Sequence, residues 1–338
     1  MDEQPLTAPK HRVPASYLGR EMDDLAERLN LAKIEDALYF PKYFQIETIR
    51  HCNARCPFCA VEQWDMSQPL MRDPLFDKIV EELADYTEWV ECVNMTRSGE
   101  PLLDKKIGRR IKRVKDAGIK FVSLTTNASL LNEKRGREIL EAGVDQLLIS
   151  MDSVDKEEYE SMRVRLDFDT VVDNIKQFFR LRDAVRPETL IRVRAICPHP
   201  EKPERQEAMR RWKAFWEPHA GPDDWLQIKP LHNWGNAKVW DAEDDGAYSD
   251  DEIDIDPCIV LWSTMHITAM GTVPLCPHDT DADVMLGDIN KNSIADVWRG
   301  DAFQAVRDKH GHGRRNEISF CVGCRSFDPK HGTIELDG

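Results

Sequence analysis

Short apolar runs alternate with helical segments through much of the chain, and this alternation restricts the fold more than any other feature. The runs lie at residues 43–49, 90–95, 121–125, 146–150, 190–196 and 225–228. Helix signals lie between them, such as Asp73-Pro74 at a start and Gly118 and Gly143 at two ends. Alternating strands and helices build a parallel sheet. We therefore expect an α/β fold, a partial (β/α)6 barrel, with its chemistry at the carboxyl ends of the strands.

The flanking segments divide the chain further. Residues 1–40 are predicted to be a helical extension with one amphipathic helix at about 21–38, and residues 41–240 to be the barrel. Residues 241–257 are dense in acid and predict a solvated linker. Residues 258–330 predict a small C-terminal domain, with a hairpin joining 264–267 to 272–275 and a helix opening at Ser293. Residues 331–338 are a tail.

The charge balance excludes some classes of partner. The chain has 61 acidic and 46 basic residues, a formal net charge of −15. A phosphate backbone needs clustered Lys and Arg, so we expect no nucleic-acid partner. No run of about 18 apolar residues and no signal-peptide pattern is present. The sequence therefore predicts a cytoplasmic protein with no membrane partner.

Nine cysteines need an explanation in such a chain. In a reducing cytosol, metal ligation is a better explanation than a disulfide framework. Cys52, Cys56 and Cys59 form a CxxxCxxC loop directly after the first predicted strand. A tetrahedral zinc site needs four ligands, and His51 is badly placed as the fourth because it adjoins Cys52. Three thiolates suit a [4Fe-4S] cluster with one iron left open.

A CxxxCxxC loop after the first strand of a partial β/α barrel resembles the radical S-adenosylmethionine (SAM) superfamily. The resemblance implies that the open iron binds the amino and carboxylate groups of SAM. A reduced cluster would then split SAM into methionine and a 5′-deoxyadenosyl radical, which abstracts a hydrogen atom from the substrate. The electron would come from a donor such as flavodoxin or ferredoxin.

Two segments after later strands are similar to SAM-binding segments of this superfamily. Ser98, Gly99 and Glu100 resemble the family's GGEP segment, which binds the SAM amino group, with Ser98 in place of the first glycine. Asn127 lies in a segment similar to the family's TNG, with Ala128 where glycine is common. The resemblance implies that both segments contact SAM.

Four further positions are implied to contact SAM. Ser150 and Asp152 follow the fourth strand, where the family places polar groups on the ribose hydroxyls and the carboxylate. Arg163 is similar to an arginine that often pairs with that carboxylate. Phe58 occupies the position whose backbone usually contacts the adenine. Taken singly, such strand-end polar residues are more often caps or turn residues.

A second set of cysteines follows the acidic segment. Cys258, Cys276, Cys321 and Cys324 lie within the small domain, and Gly271 precedes Cys276 by five residues. Spacing alone also allows zinc. The region resembles the Twitch domain, a shortened relative of the SPASM domain, whose cysteines hold one auxiliary [4Fe-4S] cluster. The resemblance implies two [4Fe-4S] clusters in all, the second with four protein ligands.

A fully ligated cluster suits electron transfer better than substrate binding. It could accept the electron that remains after hydrogen abstraction, so the expected reaction is oxidation of a secondary alcohol to a ketone. The cysteine spacing resembles that of the 2-deoxy-scyllo-inosamine dehydrogenases, Twitch enzymes of aminoglycoside biosynthesis. An acid-rich chain would also suit a cationic aminocyclitol or aminoglycoside substrate.

The competing reaction is redox-neutral epimerisation, as in the related aminoglycoside epimerases, which needs a cysteine hydrogen donor outside the clusters. Cys197 ends the fifth strand and is the preferred candidate, and Cys92 lies within the second strand. Arg192 and Arg194 alternate along the fifth strand and could act as base, orienting group or substrate anchor. The non-catalytic alternatives are a buried free thiol for the cysteine in the second strand and structural ion pairs for the two arginines.

Two other functions remain open. Many SPASM relatives modify ribosomal peptides and usually carry a leader-binding module before the barrel, for which residues 1–40 are short. A zinc-stabilised binding module without catalysis would give a colourless protein containing zinc and no iron.

Overall fold

The computed structural model describes residues 19–200, 202–231, 256–324 and 326–327. Residues 1–18 of the predicted extension, nearly all of the predicted acidic linker and the tail lie outside the described residues. Across the described helices, none is long and apolar enough to cross a membrane.

Seven strands form one parallel sheet in the order β6-β5-β4-β3-β2-β1-β7. The strands are β1 (Tyr43–Ile46), β2 (Cys92–Asn94), β3 (Val122–Thr126), β4 (Gln146–Ser150), β5 (Leu190–Cys197), β6 (Trp225–Pro230) and β7 (Thr264–Ile267). The first six correspond to the six runs predicted from the sequence. The parallel α/β sheet confirms the predicted fold class, and β7 adds a strand from the C-terminal region.

Helices connect the strands and continue into the C-terminal region. They are α1 (Gly19–Arg28), α2 (Asp73–Ala84), α3 (Ile107–Asp116), α4 (Glu133–Glu141), α5 (Lys156–Met162), α6 (Phe168–Val185), α7 (Pro203–Trp216), α8 (Val260–Ser263), α9 (Ile294–Trp298) and α10 (Asp301–Gly311). Several begin at a side-chain cap. Asn132, Asp155 and Asp167 each accept a hydrogen bond from the backbone N–H three residues later. Such caps satisfy donors that a helix start otherwise leaves unpaired.

The two faces of the sheet differ in polarity. Along β5, Ile191, Val193, Ala195 and Cys197 are buried, whereas the alternate residues, including Arg192 and Arg194, are only half-buried. Successive side chains of a strand point to opposite faces. The apolar set belongs to the hydrophobic core, which also contains apolar residues of the helices. We call the other face, which carries Arg192 and Arg194, the lumen face.

The predicted hairpin between residues 264–267 and 272–275 is wrong in its pairing. Residues 264–267 form β7, which pairs in parallel with β1, with Tyr43 opposite Thr264 and Ile46 opposite Ile267. The second segment, β8 (Thr272–Pro274), pairs instead with β9 (Met285–Asp288). The unpaired backbone N–H and C=O groups at the edge of β1 form hydrogen bonds with β7. The expected turn is present, because the Gly271 N–H donates to the Thr268 carbonyl at 2.9 Å.

Two predicted helices are each divided in the structure. The helix expected at 21–38 ends as α1, and Asn30 takes a left-handed conformation with φ 52°, which stops a right-handed helix. A short 3₁₀ helix (Ile34–Leu38) follows. The helix that opens at Ser293 ends at Trp298, and α10 begins after Gly300.

Replacing Gly271 should destabilise the C-terminal region. Its φ is +89°, and a Cβ there would lie 2.4 Å from Asn290 Nδ2. We expect Gly271→Ala to lower the free energy of unfolding by about 1–2 kcal/mol, because a side chain strains this backbone conformation. Gly19→Ala is the control, since nothing lies within 4 Å of a Cβ at Gly19. Denaturant unfolding measures both, and equal stabilities would contradict the expectation.

Candidate functional site

The first cysteine loop lies just beyond the carboxyl end of β1. Cys56 is buried, and the Cys59 N–H donates to the Cys56 carbonyl at 3.0 Å. Burial raises the pKa of Cys52 to about 12 and that of Cys59 to about 11, and repulsion from neighbouring thiolates adds to both shifts. The three thiols are therefore close enough for their charges to interact. A metal cluster supplies the positive charge that makes such thiolates stable.

The segment after β2 is tied to this loop. The Glu100 N–H donates to the His51 carbonyl at 2.8 Å. Gly99 has φ +78°, and a Cβ there would lie 2.4 Å from the Ile49 carbonyl oxygen. Only glycine allows the two backbone segments to approach this closely. The sequence placed Gly99 and Glu100 in the SAM site, and the structure brings both beside Cys52.

Glu100 joins the ends of two strands. Its buried carboxylate accepts hydrogen bonds from Thr126 Oγ1 at 2.7 Å, the Asn127 N–H at 2.8 Å and the Leu102 N–H at 3.1 Å. Burial raises its pKa, and these three donors oppose that shift. A carboxylate held this way fixes the Asn127 backbone next to the cysteine loop.

Asn127 contacts the cysteine loop directly. Its Nδ2 lies 3.0 Å from Asn53 Oδ1 and 3.9 Å from Cys52 Sγ. Ala128, which stands where the resembled family has glycine, takes a left-handed conformation with φ 60°. The position thus keeps the backbone conformation that glycine favours, at the strain cost of a Cβ.

Arg163 contacts several of the residues that the sequence predicted to lie in the SAM site. It pairs with Asp152 Oδ2 at 2.5 Å, its Nη1 lies 3.6 Å from Cys56 Sγ, and its guanidinium lies 5.1 Å from the Phe58 ring centre. Burial acts to lower the pKa of Arg163, but Asp152 and the Cys56 thiol outweigh it and raise the pKa. Asp152 Oδ1 also accepts from the Ile196 N–H at 2.9 Å, which joins the group to β5.

The two serines predicted to contact SAM lie near these groups. Ser98 Oγ lies 3.3 Å from Arg97 Nη1. Ser150 is buried at the end of β4, and its Cα is in register with that of Arg194 on β5. The structure therefore places the positions predicted to contact SAM at the carboxyl edge of β1 to β4.

The structure separates the candidate catalytic residues. Arg192 and Arg194 lie on the lumen face, whereas Cys197 is 1% exposed and belongs to the opposite, core face of β5. Cys92 belongs to the lumen face but begins β2, at the end far from the cysteine loop, with its Sγ 3.5 Å from Ser123 Oγ. Cys197 thus lies at the carboxyl edge but on the core face of β5, and Cys92 lies on the lumen face but at the opposite end of its strand.

The second cysteine set lines one cavity. Cys258, Cys276, Cys321 and Cys324 line one small cavity, together with His278, His310 and Arg315. Burial raises the pKa of Cys258 to about 11 and that of Cys321 to about 12, with repulsion between the thiolates adding to both. The four thiols therefore face a common space.

The side chains around this cavity could hold a metal group. Four thiolates are the ligands of a structural zinc ion and equally of a fully ligated [4Fe-4S] cluster. The ligand chemistry of the four cysteines thus fits both groups.

A buried ion pair that the sequence analysis missed connects the two cysteine sites. Arg97 Nη1 lies 3.3 Å from Glu47 Oε2, and neither side chain has exposed surface. Arg97 also donates to the carbonyls of Cys276 and Asp279, in the second site. The sequence did contain a sign of this ion pair, which is the position of both residues at strand ends. Glu47 follows β1 directly, and Arg97 immediately precedes Ser98.

The chain matches two family models. Residues 46–191 match the radical SAM superfamily, and residues 258–325 match SPASM, an iron–sulfur cluster-binding domain. Among curated proteins, a probable GTP 3′,8-cyclase of Sulfurisphaera tokodaii is 32% identical over 141 residues, 41% of this chain and 43% of its own. The tungsten-containing aldehyde ferredoxin oxidoreductase cofactor-modifying protein of Pyrococcus furiosus is 30% identical over 111 residues, 33% of this chain and 31% of its own. The chain thus spans less than half the length of these relatives.

Solved structures share the fold. BtrN in complex with AdoMet and 2-DOIA gives a TM-score of 0.58 at 17% identity, covering 84% of this chain and 93% of BtrN. Streptococcus suis SuiB bound to precursor peptide SuiA gives a TM-score of 0.63 at 15% identity, covering 85% of this chain and 70% of SuiB. Residues 46–191 are therefore similar to the radical SAM superfamily and residues 258–325 to the SPASM domain, and the cofactors that these two matches imply are SAM and iron–sulfur clusters.

Proposed function

We propose that this enzyme oxidises a secondary alcohol to a ketone in a small hydroxylated molecule of the aminocyclitol or aminoglycoside type. SAM at the first cluster, held by Cys52, Cys56 and Cys59, supplies the radical that removes the carbinol hydrogen. The protein itself must hold the carbinol, release its proton and take away one electron. The residues proposed to contact SAM are Phe58, Ser98, Gly99, Glu100, Asn127, Ser150, Asp152 and Arg163.

The cavity formed by Cys258, Cys276, Cys321 and Cys324 is the observation that carries this proposal. Four protein thiolates would leave no iron free for a substrate, so a cluster there suits electron transfer. A carbinol radical that has lost its proton is a strong reductant. The second site therefore gives the remaining electron a destination, as net oxidation requires.

Arg194 is the group that we propose to hold the carbinol oxygen. It lies on the lumen face, level with Ser150 at the carboxyl end of β4. Burial lowers its pKa to about 10, the positive charge of Arg163 lowers it further, and Asp152 acts in the opposite direction. A guanidinium so destabilised would gain from a developing alkoxide, and as a cation it only donates hydrogen bonds, so it would stabilise the alkoxide oxygen while the carbinol proton leaves to solvent. Arg192, two residues deeper, is proposed as a substrate anchor.

Epimerisation is the competing reaction. It requires a thiol that delivers a hydrogen atom to the opposite face of the substrate radical. Cys197 belongs to the core face of β5, and Cys92 begins β2 at the far end of the sheet. Since the Cys197 side chain is on the face opposite to Arg194 and Cys92 is at the far end of its strand, the placement of these residues supports oxidation.

A peptide substrate is the second candidate. It is supported by the structural likeness to SuiB, which was solved bound to a precursor peptide. At 15% identity that likeness concerns the fold alone, so the choice depends on the site chemistry and on experiment.

Removing two ligands of the second site should separate radical formation from oxidation. In Cys321→Ser/Cys324→Ser, we expect the iron content of the anaerobically reconstituted enzyme to fall from about eight to about four atoms. With SAM, dithionite and candidate aminocyclitols, 5′-deoxyadenosine should still form while ketone falls by more than about tenfold. Iron assay and mass spectrometry measure both.

Cys92→Ser is the matched control for this experiment. It removes a thiol outside both cysteine sets, so iron content and ketone yield should stay at wild-type values. Undiminished ketone formation by the double variant would contradict the electron-acceptor role. Zinc without iron in the wild-type protein would contradict the whole proposal.

Turnover in deuterated water should separate oxidation from epimerisation. We expect a ketone and no solvent deuterium at the carbinol carbon, because the substrate radical loses an electron instead of gaining a hydrogen atom. Mass spectrometry and NMR of the product measure this. One deuterium at an inverted carbon, lost in Cys92→Ala or Cys197→Ala while 5′-deoxyadenosine persists, would establish the epimerase instead. A modified peptide as the product would establish the second candidate.

A further inference from the structure

Three cationic side chains lie together on the lumen face of neighbouring strands. Arg192 and Arg194 are on β5, and Lys229 on β6 pairs in register with Ile196, the next residue of the same face. Alternate residues of a strand, and residues opposite each other in a parallel sheet, point to the same face. The three residues lie at successive positions toward the edge where SAM is proposed to bind, and we call them the cationic ladder.

This cationic ladder has no carboxylate partners among the described residues. Ion pairs are present at other buried guanidinium groups, namely Arg50–Asp281, Arg97–Glu47, Arg163–Asp152 and Arg182–Asp224. In the described ranges, no carboxylate lies within ion-pair distance of Arg192, Arg194 or Lys229, and the buried Nε of Arg192 has no hydrogen-bond partner there. Arg192 instead lies over the Trp225 ring, 4.1 Å from its centre.

Holding these three positive charges close together in a partly buried site is electrostatically unfavourable. Burial lowers the pKa of Lys229, and the charges of Arg194 and Arg192 lower it further. Burial also lowers the pKa of Arg192. Like charges held together in a partly desolvated site repel each other, and a bound anion would relieve that repulsion. Folding therefore leaves a concentration of positive charge next to the SAM site.

We propose that Arg192 and Lys229, next to the positive charge of Arg194, bind an anionic oxygen group of the substrate, a phosphate or a carboxylate. Guanidinium groups bind both in bidentate fashion, and an ammonium adds a point charge. The inference rests on the proposed function, because it takes the lumen beside the SAM site as the place of the substrate. It changes the expected substrate from a cationic aminocyclitol to a hydroxylated molecule that carries an anionic group.

Equilibrium binding of simple anions tests the ladder without turnover. The full chain, reconstituted and saturated with SAM, is titrated anaerobically with inorganic phosphate and separately with succinate in a calorimeter. We expect Arg192→Gln and Lys229→Gln each to weaken anion binding by about tenfold or more. Arg192→Lys should weaken binding less than Arg192→Gln, because the charge remains although the bidentate geometry is lost. Arg210→Gln is the control, since Arg210 is exposed on α7 and pairs with Glu207.

Each outcome bears on the proposal. Loss of affinity for phosphate alone assigns the site to a phosphate, and loss for succinate alone assigns it to a carboxylate. Wild-type affinity in both Gln variants, or no binding of either anion to the wild type, overturns the proposal. Loss of SAM affinity without loss of anion affinity also overturns it and assigns the ladder to the cofactor. Because no turnover is involved, failure here leaves the proposed oxidation standing, and a missing ketone would leave this result standing.

Discussion

The placement of the two cysteine sites depends on the buried ion pair between Glu47 and Arg97. Glu47 follows β1 and also accepts a hydrogen bond from the Ala269 N–H at 3.0 Å. Burial lowers the pKa of Arg97, and Glu47 opposes that shift. Removing one partner of such a pair costs about 3–5 kcal/mol, because the other charge stays buried alone. The SPASM region is thereby fixed to the edge of the sheet that carries the first cysteine loop.

The pairing of β7 with β1 has the same consequence at the level of the backbone. Because β7 is parallel to β1, both strands end at the same edge, so the chain leaving β7 enters the SPASM turn beside the loop that leaves β1. Arg50, just before that loop, pairs with Asp281 beyond the second-site residue Cys276. Strand pairing and two buried arginines therefore hold both cysteine sites on one rigid edge. In the proposed reaction, this arrangement would hold the second site at a fixed distance from a substrate bound at the first, and the rate of electron transfer falls as that distance grows.

Local patterns predicted the six barrel strands because each is an apolar run bounded by turn signals. The cysteine loop and Gly99 were predictable for the same reason, since spacing and backbone chemistry are local. The partner of Thr264–Ile267 was not predictable, because an apolar run indicates a strand but not which free edge it joins. One error was avoidable. Cys197 is three residues from Arg194, and an odd separation along a strand places two side chains on opposite faces.

The charge of the whole chain and the charge of its site point to different substrates. A net charge of −15 suggested a cationic ligand, yet a ligand responds to the groups within about 10 Å of it at physiological salt. On the lumen face those groups include Arg192, Arg194 and Lys229, and Asp152, whose charge acts on Arg194, is already paired with Arg163. Acid spread over the surface promotes solubility. We propose that selectivity for the substrate is set instead by Arg192 and Lys229, which have no carboxylate partner among the described residues.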